Sequence, residues 1–248
     1  MLEHALPGAI DSSKSLDTRT LKDQVVRLIR TAILSGKISA GGRLNESQLA
    51  RELGVSRVPI REALQQLEQQ GLVVNVPRRG KFVISLSDEE IQKINSLRLI
   101  LEAEALRLCS AKITSEGIET LNQLNENMQQ AGGLPEIEAA ALDLEFHRTI
   151  WRYSGNEYLG KTLESITIPL FAHRVLWRIN QKMLDWAKIL PTQHRLLLDF
   201  VQNRVQDSAE KVMLTHLSYR YSQPDRYSSL SLDPKHTASL IADRAPNQ

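Results

Sequence analysis

The chain has 248 residues, 42% hydrophobic and 24% charged, enough to bury one large core or a small and a medium one. Its single cysteine, Cys109, excludes an intrachain disulfide, and no apolar run reaches transmembrane length. The net charge of +2 is unevenly spread: residues 18–81 hold twelve Lys/Arg against five Asp/Glu, which leaves the rest of the chain at minus five. A basic small domain joined to an acidic larger one is expected to meet a polyanion. With no signal peptide at its start, the protein is expected to be cytoplasmic, with no membrane partner.

Residues 1–17 carry few regularly spaced apolar side chains and several Ser, Gly and Pro, which reads as a flexible N-terminal arm. The first domain is expected over residues 18–85. Val25, Ile29 and Ile33, with Leu21 and Val26, mark the apolar face of a helix over 21–34, which Gly36 ends. Gly41 and Gly42 supply a turn, and Asn45 is a good N-cap for a second helix carrying Leu49, Ala50 and Leu53. Gly54 can take the backbone angle that ends it, and Ser56 can cap a third. From Arg57 on, Ile60, Ala63, Leu64 and Leu67 form a buried stripe, while Arg57 and Arg61 stand four apart on another face. Pro59 falls in the first turn, where its missing N–H costs little. This is a helix-turn-helix whose second helix offers Arg57 and Arg61 to guanine edges or phosphates of a major groove. Ser47 and Arg51, on the preceding helix, are placed to reach the DNA backbone.

Two β-prone runs, 72–74 and 82–84, then flank a turn at Pro77 to Gly80. They predict a two-stranded wing with Arg78, Arg79 and Lys81 at its tip, suited to phosphate or minor-groove contact. The competing readings are a plain helical hairpin with solvated arginines and a solvated loop.

A boundary is expected near 85–88, where Ser87 followed by Asp88, Glu89 and Glu90 is a helix N-terminal signature. Residues 86–225 predict only helices, over 88–111, 114–130, 134–153, 157–178, 192–205 and 208–222. Their separators are Gly132 and Gly133, residues 154–156, the stretch around 183–191, and Gln206 with Asp207. The fold class is therefore an α+β winged helix-turn-helix followed by an all-α bundle. Residues 226–248 have little periodicity and read as a flexible C-terminal tail. Cys109, among Leu106, Leu108 and Ala111, reads as buried packing.

Asp143 and His147 lie one turn apart, on a helix face flanked by Phe146 and Ile150. His194 and His216 stand almost symmetrically about the turn at Gln206 and Asp207, each ~16 Å from it along an antiparallel pair of helices. One Asp and three His make an N/O site for zinc, nickel, manganese or iron(II). Spacing does not by itself bring the two pairs together, and satisfied core histidines are the competing reading. Arg98, four after Ile94 and three before Leu101, starts from an apolar face. It reads either as a salt bridge to Glu102 or as a planar fork for a ligand carboxylate. Trp151, Trp177 and Tyr219 read as cavity lining or as core.

The run AILSGKISAGGRLNESQLARELGVSRVPIREALQQLEQQGLVVNVPRRGKFV resembles the winged helix of the GntR family of bacterial transcription regulators. The remainder resembles the FCD ligand-binding domain of its FadR-like branch, and the two together cover about residues 21–221. The resemblance implies a homodimer on double-stranded operator DNA with inverted-repeat half-sites, controlled by a small metabolite. Metal-binding FCD domains carry Asp-x-x-x-His on one helix and a His on each of the last two. Asp143, His147, His194 and His216 match that pattern residue by residue, which implies a divalent ion, zinc foremost. Arg98 matches an Arg that is often near the effector, whereas His173 has no place in the pattern and reads as a packing histidine. Two departures stand out. Gly41 and Gly42 replace a Pro-Gly of many relatives, and Ser47 stands where some carry an operator-contacting Arg. The expected function is a metabolite-responsive repressor, released when a small organic acid binds the metal and Arg98. The alternative is a metal-dependent enzyme or a metal-sensing regulator. As a base for an enzyme, Glu145 faces away from Asp143 and His147 on the helix.

Overall fold

A computed structural model describes residues 20–131, 134–181 and 190–219. The expected arm, the turn at Gly132 and Gly133, most of the 183–191 separator and the C-terminal tail lie outside the described residues. The chain divides into two compact units. One holds the chain up to Leu86 with a helical segment that begins at Ile168, and the other holds Ser87–Thr167 and the last two helices.

In the first unit the order is α1 (Leu21–Leu34), β1 (Arg43–Leu44), α2 (Glu46–Leu53), α3 (Arg57–Gln69), β2 (Val73–Val76) and β3 (Gly80–Val83). Thr20 caps α1 by accepting from Asp23 N, and Asn45 caps α2 by accepting from Ser47 N and Gln48 N. Gly54, at φ 66°, closes α2 in the left-handed region that favours glycine. Ser56 holds the N-cap position of α3 but makes no side-chain cap bond. The wing is larger than expected: β1 pairs antiparallel with β3, giving the sheet order β1-β3-β2. Two residues are too short a run for periodicity to mark. Ile29, Ile60, Ala63, Leu64 and Leu67 are fully buried at the centre of this unit, and Ala172 and Leu176 complete its core.

In the second unit the described elements are all helical: α4 (Asp88–Lys112), α5 (Ser115–Gln130), α6 (Glu136–Tyr153), the first turns of α7 (Glu157–Gln181), α8 (Leu190–Val201) and α9 (Ala209–Tyr219). The rest of α7, from Ile168 on, belongs to the first unit. Ser87 and Glu90 form a reciprocal capping box at the start of α4. Helix α4 runs through the middle of the bundle, against α6, α8 and α9. Leu106, Cys109, Phe146, Leu163, Leu197 and Leu217 are fully buried. Two ends fall short of expectation. Pro135 takes the N-cap position of α6, and Asn203 at φ 56° stops the chain from continuing α8 to residue 205.

One close approach within the first unit fixes a glycine. Gly71 has φ +74°, and a Cβ there would stand 2.7 Å from Ile168 Cγ2 and 2.8 Å from the Ile168 carbonyl oxygen.

Candidate metal centre and nucleic-acid interface

Helix α6 turns Asp143 and His147 inward, α8 supplies His194 and α9 supplies His216, and all four are at most 2% exposed. Each imidazole offers one ring nitrogen to a common point, these atoms all lying within 4.8 Å of one another. Asp143 Oδ1 lies 3.0 Å from His194 Nε2 and 3.6 Å from His147 Nε2. The sequence-predicted residues therefore converge, although two of the three contributing helices are separated in sequence by the whole of α7. Three imidazole nitrogens and one carboxylate oxygen suit zinc and the other borderline divalent ions. Phe146 backs the cluster, its ring edge-on to His194 at 4.6 Å between centroids. Trp151, 3% exposed, stands 6.2 Å from the His147 ring.

The far sides of two imidazoles are held. His147 Nδ1 lies 2.8 Å from Glu102 Oε2, and His216 Nδ1 lies 3.1 Å from the Gln193 carbonyl oxygen. Arg98 Nε donates to Glu102 Oε1 at 2.6 Å. Burial pushes the Glu102 carboxyl up, but the charges of Arg98 and His147 and their hydrogen bonds outweigh it and hold the group at about 2. Glu102 is thus a carboxylate inside the bundle. The salt-bridge reading of Arg98 is present, with the guanidinium wholly buried. The contact of Glu102 with His147 escaped the sequence reading. Its one visible signal was an Arg and a Glu four apart on an otherwise apolar face.

Trp177 is in the segment of α7 that belongs to the first unit. So is His173, whose Nδ1 accepts from Leu86 N at 3.2 Å, a packing role. The Tyr219 side chain lies outside the described residues. Glu145 is partly exposed and paired with Arg152 at 2.8 Å.

On the first unit, Arg51, Arg57 and Arg61 are exposed, and Ser47 is half-buried. Arg61 reaches Glu46 at 3.4 Å while remaining 65% exposed, a pairing that water screens. Val58, 61% exposed between the two α3 arginines, was missed in the sequence; an apolar side chain there suits a thymine methyl. At the wing, Arg78 takes φ 63° in the turn and Arg79 lies over the Phe82 ring at 5.5 Å. Lys81 behaves differently from its neighbours: it is bound to Glu68 and its side chain is only 16% exposed. The unexpected strand β1 brings another cation, Arg43, beside Gly80 at the tip.

Comparison with known proteins agrees with this architecture. The family described as bacterial regulatory proteins, gntR family, matches residues 21–83, and the FCD domain matches residues 93–219. The HTH-type transcriptional regulator YdhC of Bacillus subtilis is 29% identical over 79% of this chain and 87% of its own length. The Nta operon transcriptional regulator of Aminobacter aminovorans is 30% identical over 74% of this chain and 84% of its own. The gluconate operon transcriptional repressor of Bacillus licheniformis is 28% identical, over 72% and 74%. Among solved structures, McbR/YncC of Escherichia coli superposes with a TM-score of 0.58 at 22% identity, covering 82% of this chain and 98% of that one. That likeness is one of fold.

Proposed function

The chain belongs to the gntR family of bacterial regulatory proteins, a transcription regulator with an FCD domain, and from that premise we propose how it is controlled. It acts in the cytoplasm as a homodimeric repressor of the FadR-like branch. It binds inverted-repeat operator DNA and is released by a small organic acid held at a divalent metal ion, zinc foremost. The observation that carries this reading is the convergence of Asp143, His147, His194 and His216. A cluster of three imidazoles and a carboxylate, removed from water, is costly as packing and well suited to a cation.

In this reading the four side chains hold the ion, which when bound supplies an open position for the acid's carboxylate. Arg98, anchored on Glu102, gives the acid a second charge contact in a site that excludes water. Arg57 and Arg61 read the major groove, Arg51 meets the DNA backbone, and Arg78 and Arg79 meet phosphate or the minor groove, with Lys81 behind them. An acid that binds one dimer geometry better than the other shifts operator affinity by that difference. The relative from Bacillus licheniformis, a repressor by name, supports release rather than recruitment.

Burial of all four donors also supports a second reading, a regulator that senses the metal itself. Titration of small hydroxy- and dicarboxylic acids into zinc-loaded and metal-free protein, followed by operator binding, separates the two. An acid that binds only the loaded protein and weakens operator binding supports the proposal. Arg98→Ala should then keep one metal per chain and bind the acid poorly. If every acid binds loaded and metal-free protein alike, and zinc alone alters operator affinity, the metal-sensing reading replaces it.

A further inference from the structure

His147 can offer either ring nitrogen to a metal, and the group that holds the other nitrogen decides which. Its Nε2 faces Asp143 Oδ1 at 3.6 Å, while its Nδ1 lies 2.8 Å from Glu102 Oε2 on α4. A carboxylate only accepts, so an Nδ1 hydrogen-bonded to it carries a proton. The other Glu102 oxygen receives Arg98 Nε, from the same helix one turn back, at 2.6 Å. Glu102 Oε1 thus has a hydrogen-bond donor, and Oε2 stands 2.8 Å from an imidazole nitrogen, so the two oxygens of the carboxylate face different partners. The main chain does for His216 what Glu102 does for His147: the Gln193 carbonyl oxygen stands 3.1 Å from Nδ1. Two of the three imidazoles are therefore tied back through the same ring atom.

An Arg and Glu pair at most 1% exposed is weak evidence of a stabilising device, because desolvation offsets most of the attraction and apolar replacements often serve as well. A purely structural pair also gives no reason for the second carboxylate oxygen to meet a histidine of the cluster. We propose that Glu102 is a positioning residue of the metal centre: it holds His147 through Nδ1 and so turns Nε2 toward the ion, with Arg98 holding Glu102 in place. This rests on the metal reading above and extends it to a side chain that does not touch the ion. Arg98 then meets the acid directly and the metal only through two intervening side chains, so its loss should lower zinc affinity while the chain still binds one zinc at saturation.

Glu102→Gln keeps the size of the side chain, loses its charge, and can turn its NH2 toward His147, which frees Nδ1 to act as the acceptor. Zinc affinity, measured by competition with a chromophoric chelator on the full-length protein, should fall about 10- to 100-fold, with Glu102→Asp between it and wild type. A merely structural Glu102 would lower the melting temperature of the metal-free protein and leave the zinc affinity of the folded variant within about twofold of wild type, which would overturn the proposal. The imidazole 15N spectrum of zinc-loaded wild type needs no substitution and decides the matter even if the variant does not fold. It should show His147 ligated through Nε2 with Nδ1 protonated, and ligation through Nδ1 would overturn the proposal. Wild-type protein that takes up no zinc would remove the metal reading and this one together. Wild type that binds zinc, with the same affinity in Glu102→Gln, would remove this one alone.

Discussion

Asp143 Oδ1, on α6, stands 3.0 Å from His194 Nε2, on α8, so two helices distant in sequence meet through buried polar atoms. Removal of either partner takes away one of the four groups that converge there.

His147→Ala, His194→Ala and His216→Ala should each lose tight divalent-metal binding, as read by elemental analysis and zinc titration. The first unit should stay folded in all three, because its core is built from other residues. The ligands bind metal in their deprotonated forms, so wild-type affinity should fall as the medium is acidified. Stoichiometric zinc in all three variants would place the ion elsewhere.

Arg57→Ala and Arg61→Ala should each weaken operator binding, by about 1–3 kcal/mol where the contact is to a base edge. Arg61 gives up little by leaving Glu46, since that pair is exposed. DNA titration at fixed salt, with gel filtration to check the dimer, decides it. Unchanged operator affinity in both variants would remove α3 as the reading helix.

Neutralising Arg78 and Arg79 together should weaken specific and non-specific DNA binding in parallel. The salt dependence should flatten by roughly 0.9 in log–log slope for each phosphate that the wing no longer neutralises. Lys81→Gln should have the smaller effect, because Lys81 is already bound to Glu68 and largely covered. A changed base preference at constant slope would make the wing a reader of sequence instead.

Burial pushes the Cys109 thiol up to about 12, so at pH 8 almost none of it is the reactive thiolate. An aromatic disulfide reagent should leave the native protein unmodified at that pH and react with one thiol per chain in denaturant. Rapid modification without denaturant would show that the helices around Cys109 open readily.

The sequence was most informative where chemistry and local geometry coincide. Asp143 and His147 could be read as one site because a single helical turn relates them. Asn45, Gly54 and the box at Ser87 and Glu90 could be read because caps depend on near neighbours. His194 and His216 were legible only conditionally, since their meeting depends on how α8 and α9 pair across residues 202–208. The contact of Glu102 with His147 depends on the register between α4 and α6, which neither helix encodes alone. The same holds for Lys81: its place in a basic run promised a free cation, whereas the fold hands it to Glu68. Strand β1 was too short to have a period, and the division of α7 between the units falls beside Pro169, a helix-interior proline that the apolar periodicity runs straight through.

Gly71 carries no side chain, yet it sets a dimension of the first unit. Hydrogen is the only substituent that fits between its backbone and Ile168, both for space and for its φ of +74°. The chain just past α3 is therefore gauged against Ile168 of α7, whose carbonyl and Cγ2 both press on the Gly71 backbone. Substitutions at 71 can only wedge the two apart. The seat of α3 is thus set from two sides, by its packing on α1, α2 and β2 and by the α7 backbone, which lies far along the chain from it.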